Sequence, residues 1–387
     1  MQIYLDYSAT TPCRPEAMAK MQAVLTDTWG NPASLHQWGE RAAWVMEEAR
    51  EQVARLIGAD PTQILFTSGG TEADNLAIYG ITGRYAQPQH LIISSVEHSA
   101  IAAPAQQLTA QGWEVTTLPV DAQGRVHPED LVQSLRPNTV LISIIYGQSE
   151  IGTVQPIQAL GSIARDRQIT FHTDAVQAAG RIPLDVQSLP VDLLSLSSHK
   201  LYGPQGAGAL YVRAGVKLHP PLQGGGQEQG LRPGTPSLPT LAGFGVAAHY
   251  AAQELVPERD RLIQLRERLF AALAEVPDLY PTGDRQDRLP HHLSFCLKPP
   301  QGDPPTGRYL VRQMNLAGIG ISAGSACNSG KTLPSRVLKA LGLPDAIARS
   351  GIRLTLGRDT TAADIDWTAQ VLRQILARDV AAPGPAR

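Results

Sequence analysis

Apolar positions follow two different periods along the first two-thirds of this chain, and the switches between them mark out its elements. Ala42, Val45, Met46, Ala49, Val53, Leu56 and Ile57 recur at helical spacing, with Glu47, Glu48, Arg50, Glu51 and Arg55 on the other faces. That spacing predicts a helix with one face in the core. The runs at 64–67, 91–94, 140–145, 170–173 and 193–196 are short and almost wholly apolar, as strands covered on both faces are. Such strands separated by helical patterns predict a mostly parallel sheet.

A long helical stretch begins near Leu238, and the pattern after it is less regular. Residues 293–297 and 352–356 read as strands, and 362–377 reads as a helix capped by Thr361. The expected fold class is α/β, with a mostly parallel mixed sheet flanked by helices in a large domain and a smaller α+β domain. The expected division is 14–255 for the large domain, and 1–13 with 256–387 for the small one.

Chemistry-bearing residues fall at the predicted strand ends. The run Leu193-Leu194-Ser195-Leu196-Ser197-Ser198-His199-Lys200 delivers a lysine beyond a buried strand, and Thr170-Phe171-His172-Thr173-Asp174 delivers an acid. Open α/β sheets bind ligands at that edge. A lysine there suits Schiff-base chemistry, and an acid suits a pyridine nitrogen. Either alone is commonly a solvated lysine or a helix cap. Thr67-Ser68-Gly69-Gly70-Thr71-Glu72 joins a strand to a helix, and its glycines, first helical N–H groups and Thr71 hydroxyl could cradle a phosphate. In a fully extended segment, Ser197 and His199 would share a face and Lys200 would point the other way.

Composition narrows the classes. The 387 residues are 43% hydrophobic with a formal net charge of −2, enough for a large core and, by length, two domains. Near-neutral charge without Lys/Arg blocks argues against nucleic acid or an anionic membrane as partner. The amino terminus lacks a basic, apolar leader, so a cytoplasmic location is expected. Cys13, Cys296 and Cys327 are too dispersed for a disulfide framework or a zinc site. Cys327 differs from the other two, because Ile321-Ser322-Ala323-Gly324-Ser325-Ala326-Cys327-Asn328-Ser329-Gly330 is rich in small residues. A mobile loop over about 321–333 is expected, presenting an accessible thiol.

The ordered set Tyr4 to Pro12, Gly30-Asn31-Pro32-Ala33-Ser34, Thr67 to Asn75, Glu97-His98, Glu150-Ile151-Gly152, Asp174-Ala175-Val176-Gln177, Ser197 to Lys200, Gly224-Gly225-Gly226, Arg232-Pro233-Gly234-Thr235, Gly324-Ser325-Ala326-Cys327 and Ile352 to Gly357 spans nearly the whole chain. It resembles a cysteine desulfurase of the NifS/IscS type, in the class V aminotransferase group of fold-type I pyridoxal 5'-phosphate enzymes. The resemblance implies that Lys200 carries the cofactor as a Schiff base, Asp174 pairs with its ring nitrogen, His98 stacks on the ring and Gln177 bonds its phenolic oxygen. It implies a phosphate site made by Gly70, Thr71, Ser197, His199 and Thr235, the last reaching over from a second copy in a homodimer with composite sites. Arg353, with Asn31 nearby, would take the carboxylate of L-cysteine. Cys327 would take its sulfur as a persulfide, for delivery to an acceptor or iron–sulfur scaffold protein.

Two departures stand out. Gln148-Ser149 replaces the family's usual paired asparagines, so Ser149 is expected to reach cofactor and substrate only through water. The chain also ends soon after its last predicted helix, where housekeeping members carry a longer tail that docks a scaffold. The rival readings are a pyridoxal-phosphate C–S lyase, which needs no loop cysteine, a class V aminotransferase, and a non-enzymatic partner subunit.

Overall fold

A computed structural model of the protein describes residues 2–299, 302–324 and 333–381. Its main sheet has seven strands in the order Ile64–Thr67, Gly208–Val212, Leu193–Ser197, Thr170–Asp174, Thr139–Ser143, His90–Ser94, Glu114–Leu118. Only Gly208–Val212 runs against its neighbours, so the sheet is mixed and mostly parallel, as the apolar runs imply.

Both faces of this sheet are covered, and alternate residues of each strand serve different cores. Ile92, Ile142 and Leu194 join one cluster, with Val53 and Leu56 of helix Gln37–Leu56 and Leu160 of helix Ile157–Asp166. Leu91, Leu141 and Leu193 join the other, with Leu76 of helix Gly70–Thr82 and Ile101 and Leu108 of helix Ser99–Ala110. Two-sided burial accounts for strands without polar alternation. The edge strand Glu114–Leu118 is mostly solvent-facing and half polar, and the apolar pattern does not reveal it.

A second core gathers around a four-stranded antiparallel sheet, Ser322–Ala323, Ile352–Thr355, His292–Leu297, Leu279–Pro281. Helix Leu238–Leu273 spans both cores: Leu241, Phe244 and Ala248 pack in the first, and Leu262, Leu269 and Leu273 in the second. Pro257 lies between these two sets and removes one helical hydrogen bond there. Thr361 and Asp364 form a reciprocal cap on helix Ala362–Ala381.

The strand that leads into the glycine turn is a sheet edge, and its free backbone is satisfied by side chains. Arg50 donates to the Ile64 carbonyl at 2.7 Å and to both oxygens of Glu228 at 2.8 and 2.7 Å. Glu228 also accepts the Phe66 N–H at 2.7 Å. Glu228→Ala should therefore leave the buried Arg50 guanidinium with only the exposed Glu47 as counter-charge and strand the Phe66 N–H, destabilising the fold by roughly 3 kcal/mol. Chemical denaturation measures this directly; a loss under about 1 kcal/mol would show that the pair does not hold the edge.

Candidate active site

Three chain segments meet at the carboxyl ends of the parallel strands. The first is the turn from Ile64–Thr67 into helix Gly70–Thr82. Gly208 and Gly70 allow it to pack closely: a Cβ on Gly208 would lie 2.5 Å from the Gly69 carbonyl carbon, and one on Gly70 would lie 2.7 Å from Val176 Cγ2. The helix's first N–H groups have no partner within the helix. Beside them opens a cavity of about 530 Å³ lined by Gly69, Gly70, Thr71, Ser197, His199 and Ala207, among others. Glu72, also on its wall, is paired with Arg232 at 2.8 Å and accepts the Ser68 N–H at 2.6 Å. The arginine offsets an acid that would otherwise repel an anion in this cradle.

The second segment ends strand Thr170–Asp174. Asp174 is buried and accepts the Val176 N–H at 2.9 Å. Burial raises its pKa, and the charges of His98 and Lys200 pull it back down. Asp74, His98 and Asp174 bring their ligating atoms within 4.8 Å of one another. Asp74 is held well above the usual carboxylate range by burial and then by Asp174. His98 caps helix Ser99–Ala110, its Nδ1 accepting the Ala100 N–H at 3.2 Å, and remains exposed. Beneath Asp174, His172 sits between the hydroxyls of Ser143 and Ser195 at 2.8 and 3.0 Å. Burial lowers its pKa to about 3, so the ring is neutral.

The third segment follows Leu193–Ser197, the parallel neighbour of Thr170–Asp174. The chain does not stay extended there: Ser198–Lys200 is a 3-10 turn. The period-two argument for Ser197 and His199 therefore fails, although the turn still brings both to the cavity wall. His199 Nδ1 lies 3.1 Å from the Thr10 hydroxyl, and burial followed by the Lys200 charge lowers its pKa to about 4. Lys200 Nζ donates to the carbonyls of Ser8 and Ala9 at 2.5 and 2.8 Å. Gln177 Nε2 donates to the same Ser8 carbonyl at 2.9 Å.

Arg353, on the small antiparallel sheet, approaches from the other side. Its Nη1 donates to the Ser149 carbonyl at 2.9 Å and its Nη2 to Asp6 at 2.7 Å. Ser149 thus meets Arg353 through its main-chain carbonyl. The neighbouring Gln148 is structural: its Oε1 accepts the N–H groups of Glu150 and Ile151, and its Nε2 reaches the Val96 carbonyl at 3.1 Å. Asn31 is exposed and uses its Oδ1 on the Ala33 N–H at 3.0 Å, and it shares no hydrogen bond with Arg353. Thr235 is exposed and does not line the cavity of its own chain. Cys327 lies outside the described residues, as does most of its predicted loop. Gly324, the last described residue before that segment, packs directly on Glu150, whose buried carboxyl is pushed up to about 7 by burial.

Sequence reasoning passed over Asp74, His172 and the tandem His291-His292 that backs Ser8 and Ser149. For two of them a signal existed. Asp74 falls on the apolar face that Ala73, Ala77, Ile78 and Ile81 form at helical spacing, and His172 shares a strand face with Asp174 by the period of two.

Comparisons with known proteins extend over nearly the whole chain. The family model described as aminotransferase class-V matches residues 3–367. A curated relative, "Cysteine desulfurase IscS" of Dictyoglomus turgidum, is 44% identical over 97% of this chain and 94% of its own. A solved structure described as "NIFS-LIKE PROTEIN" superimposes with a TM-score of 0.91 at 31% identity, covering 98% of this chain and 100% of its own. Another, "SspA in complex with cysteine", gives a TM-score of 0.81 at 35% identity over 92% and 99% of the two chains.

Glu97 generates a test of the electrostatics. It is buried, accepts from Ser94 Oγ at 2.5 Å and from the Ile145 N–H at 2.9 Å, and its Oε2 has no partner. Burial pushes its pKa from 4.5 to about 8. An acid whose folded pKa is raised stabilises the fold at low pH, and that contribution is lost as pH rises from 4.5 through about 8. His172, shifted downward, acts in the opposite sense as pH falls below 6.5. Melting curves of cofactor-free protein should therefore show Glu97→Gln declining less than wild type across the interval from 4.5 to about 8. Parallel curves would place the proton elsewhere.

Proposed function

This chain belongs to the aminotransferase class-V family, and we infer from that premise that it is a cysteine desulfurase, taking sulfur from L-cysteine and releasing L-alanine. One observation carries the reading: neighbouring strand ends bring Lys200 and the buried Asp174 together beside the open helix start at Gly70 and Thr71.

The residues present fit pyridoxal 5'-phosphate. A buried acid suits a protonated ring nitrogen, which would keep it ionised against its own desolvation. The glycine turn suits the phosphate, with Thr71, Ser197 and His199 beside it and Thr235 supplied by a second copy. His98 would cover the ring face, and Gln177 would turn its amide to the phenolic oxygen. When bound, this group supplies an electron sink that makes the α-carbon of an amino acid acidic.

The chain's own residues do the rest. Arg353, steadied by Ser149 and Asp6, would orient the substrate carboxylate by a two-pronged contact. Lys200 would leave the Ser8 and Ala9 carbonyls to move the α-proton. Cys327 would attack the substrate Sγ as a thiolate. The new S–S bond forms as Cβ–Sγ breaks, and the electron pair stays on carbon, which gains a proton and leaves as the methyl of alanine. The persulfide sulfur then passes to an acceptor thiol or an iron–sulfur scaffold protein. Cys296 is unsuited to that role, because burial pushes its thiol up to about 12.

The reading includes two domains, 14–255 and the remainder, a cytoplasmic location, and a homodimer. No helix among the described residues is long and apolar enough to cross a membrane. Trp29, Leu35, Trp38 and Trp44 are all exposed within one stretch, Leu35 to 95%. Apolar exposure of that kind suits a partner surface, and a second copy is the partner that would also supply Thr235.

The decisive variant is Cys327→Ser. It should keep the yellow colour of bound cofactor yet release no alanine from cysteine, because a serine hydroxyl is almost wholly protonated at neutral pH. Mass spectrometry after a brief cysteine pulse should find one extra sulfur on the Cys327 peptide and none on those of Cys13 or Cys296. Wild-type alanine release by this variant would take Cys327 out of the chemistry, and pyruvate with sulfide in place of alanine would mark a C–S lyase. Asp174→Asn should bind cofactor more weakly and lose roughly 2.7–4 kcal/mol of transition-state stabilisation. Sedimentation at assay concentration should give a dimer, and an active monomer would sink the composite site.

A further inference from the structure

We propose that His292 is a positioning residue for substrate recognition, acting on Arg353 through the Ser149 carbonyl. The proposal rests on the reading of Arg353 as the carboxylate site. The Ser149 oxygen receives two donors, Arg353 Nη1 at 2.9 Å and His292 Nε2 at 3.0 Å. A carbonyl can only accept, so His292 carries its proton on Nε2. His292 and Arg353 are diagonal neighbours on adjacent antiparallel strands, since His292 pairs with Thr355 and Ser294 with Arg353. The turn from Gln148 to Gly152 is shaped around the ring. Gly152 has φ +78°, and a Cβ there would lie 2.6 Å from His292 Nδ1.

The other ring nitrogen argues that the imidazole is kept for this contact. His292 Nδ1 is buried without a partner among the described residues, an arrangement that destabilises a core and that an apolar residue of the same size would avoid. Burial and the charges of Arg288, Arg353 and Arg266 keep the ring neutral, with the Ser149 contact opposing them. The ring therefore supplies one fixed, uncharged donor. By holding the Ser149 oxygen in place, it fixes one corner of the guanidinium while Asp6 fixes another. The plane that remains is the one offered to a carboxylate.

The test uses cofactor-loaded protein. His292→Phe keeps the ring volume and loses the donor, with His292→Leu as a second donorless variant should the first not fold. His292→Gln restores an N–H at similar reach. A donorless variant should raise KM for cysteine about tenfold, the scale of one hydrogen bond, and keep kcat within about twofold. The calorimetric Kd for L-alanine should rise by the same factor, and His292→Gln should recover most of both. In an Arg353→Lys background the His292 substitution should add nothing.

Unchanged KM and Kd in the donorless variants would overturn the proposal, as would an equal penalty in the Arg353→Lys background. So would a fall in kcat and cofactor content with Kd unchanged, which marks a merely structural residue. If Arg353→Lys itself leaves the L-alanine Kd unaltered, the premise about Arg353 fails, and the proposal fails with it.

Discussion

Parallel pairing of Thr170–Asp174 with Leu193–Ser197, which sets Asp174 opposite Ser195, is the constraint on which the site depends. It fixes where the buried acid stands relative to the turn carrying Lys200. Ser195 also bonds His172, so the same strand pair fixes the polar layer beneath the acid. Both strands are buried on two faces, and a shift in register would move their apolar residues out of the cores they fill. Core packing therefore sets the geometry of the chemistry.

That placement has an electrostatic consequence. Asp174, Asp74 and Glu97 are all buried acids whose pKa values burial raises. Within one small region they disfavour one another's ionised forms, and His172 remains neutral alongside them. A cation bound against Asp174 would be attracted by an acid that is otherwise poorly solvated. The layer is thus a preorganised site for a cation, whose arrival would favour the ionised form of Asp174. At the glycine turn the logic reverses, and Arg232 neutralises Glu72 so that the helix start remains receptive to an anion.

Much of this was legible in the chain because strands buried on both faces must be apolar, and because strand ends are where an α/β sheet carries its chemistry. The 3-10 turn at Ser198–Lys200 was not legible: an apolar run shows that a strand exists, and Ser198-His199-Lys200 carries no mark of where it stops. Gly208–Val212 was likewise hidden behind its glycine-rich approach, and no local pattern distinguishes an antiparallel insertion. The contact at Ser149 was hidden for a different reason: Arg353 meets its main-chain carbonyl, a group that every residue at that position would possess.

The contacts hardest to foresee join residues far apart in the chain. Several polar groups of the amino-terminal segment Asp6 to Thr11 answer one across the site. Asp6 meets Arg353, the Ser8 carbonyl meets Lys200 and Gln177, and the Thr10 and Thr11 hydroxyls meet His199. His291 holds the Ser8 hydroxyl at 3.1 Å while His292 holds Ser149. The tandem histidines, unremarkable in Leu289-Pro290-His291-His292-Leu293, therefore buttress both segments, the one that holds Lys200 and the one that holds Arg353. Two neutral rings there can do this without adding charge to a region already crowded with guanidinium groups, which a lysine or arginine could not.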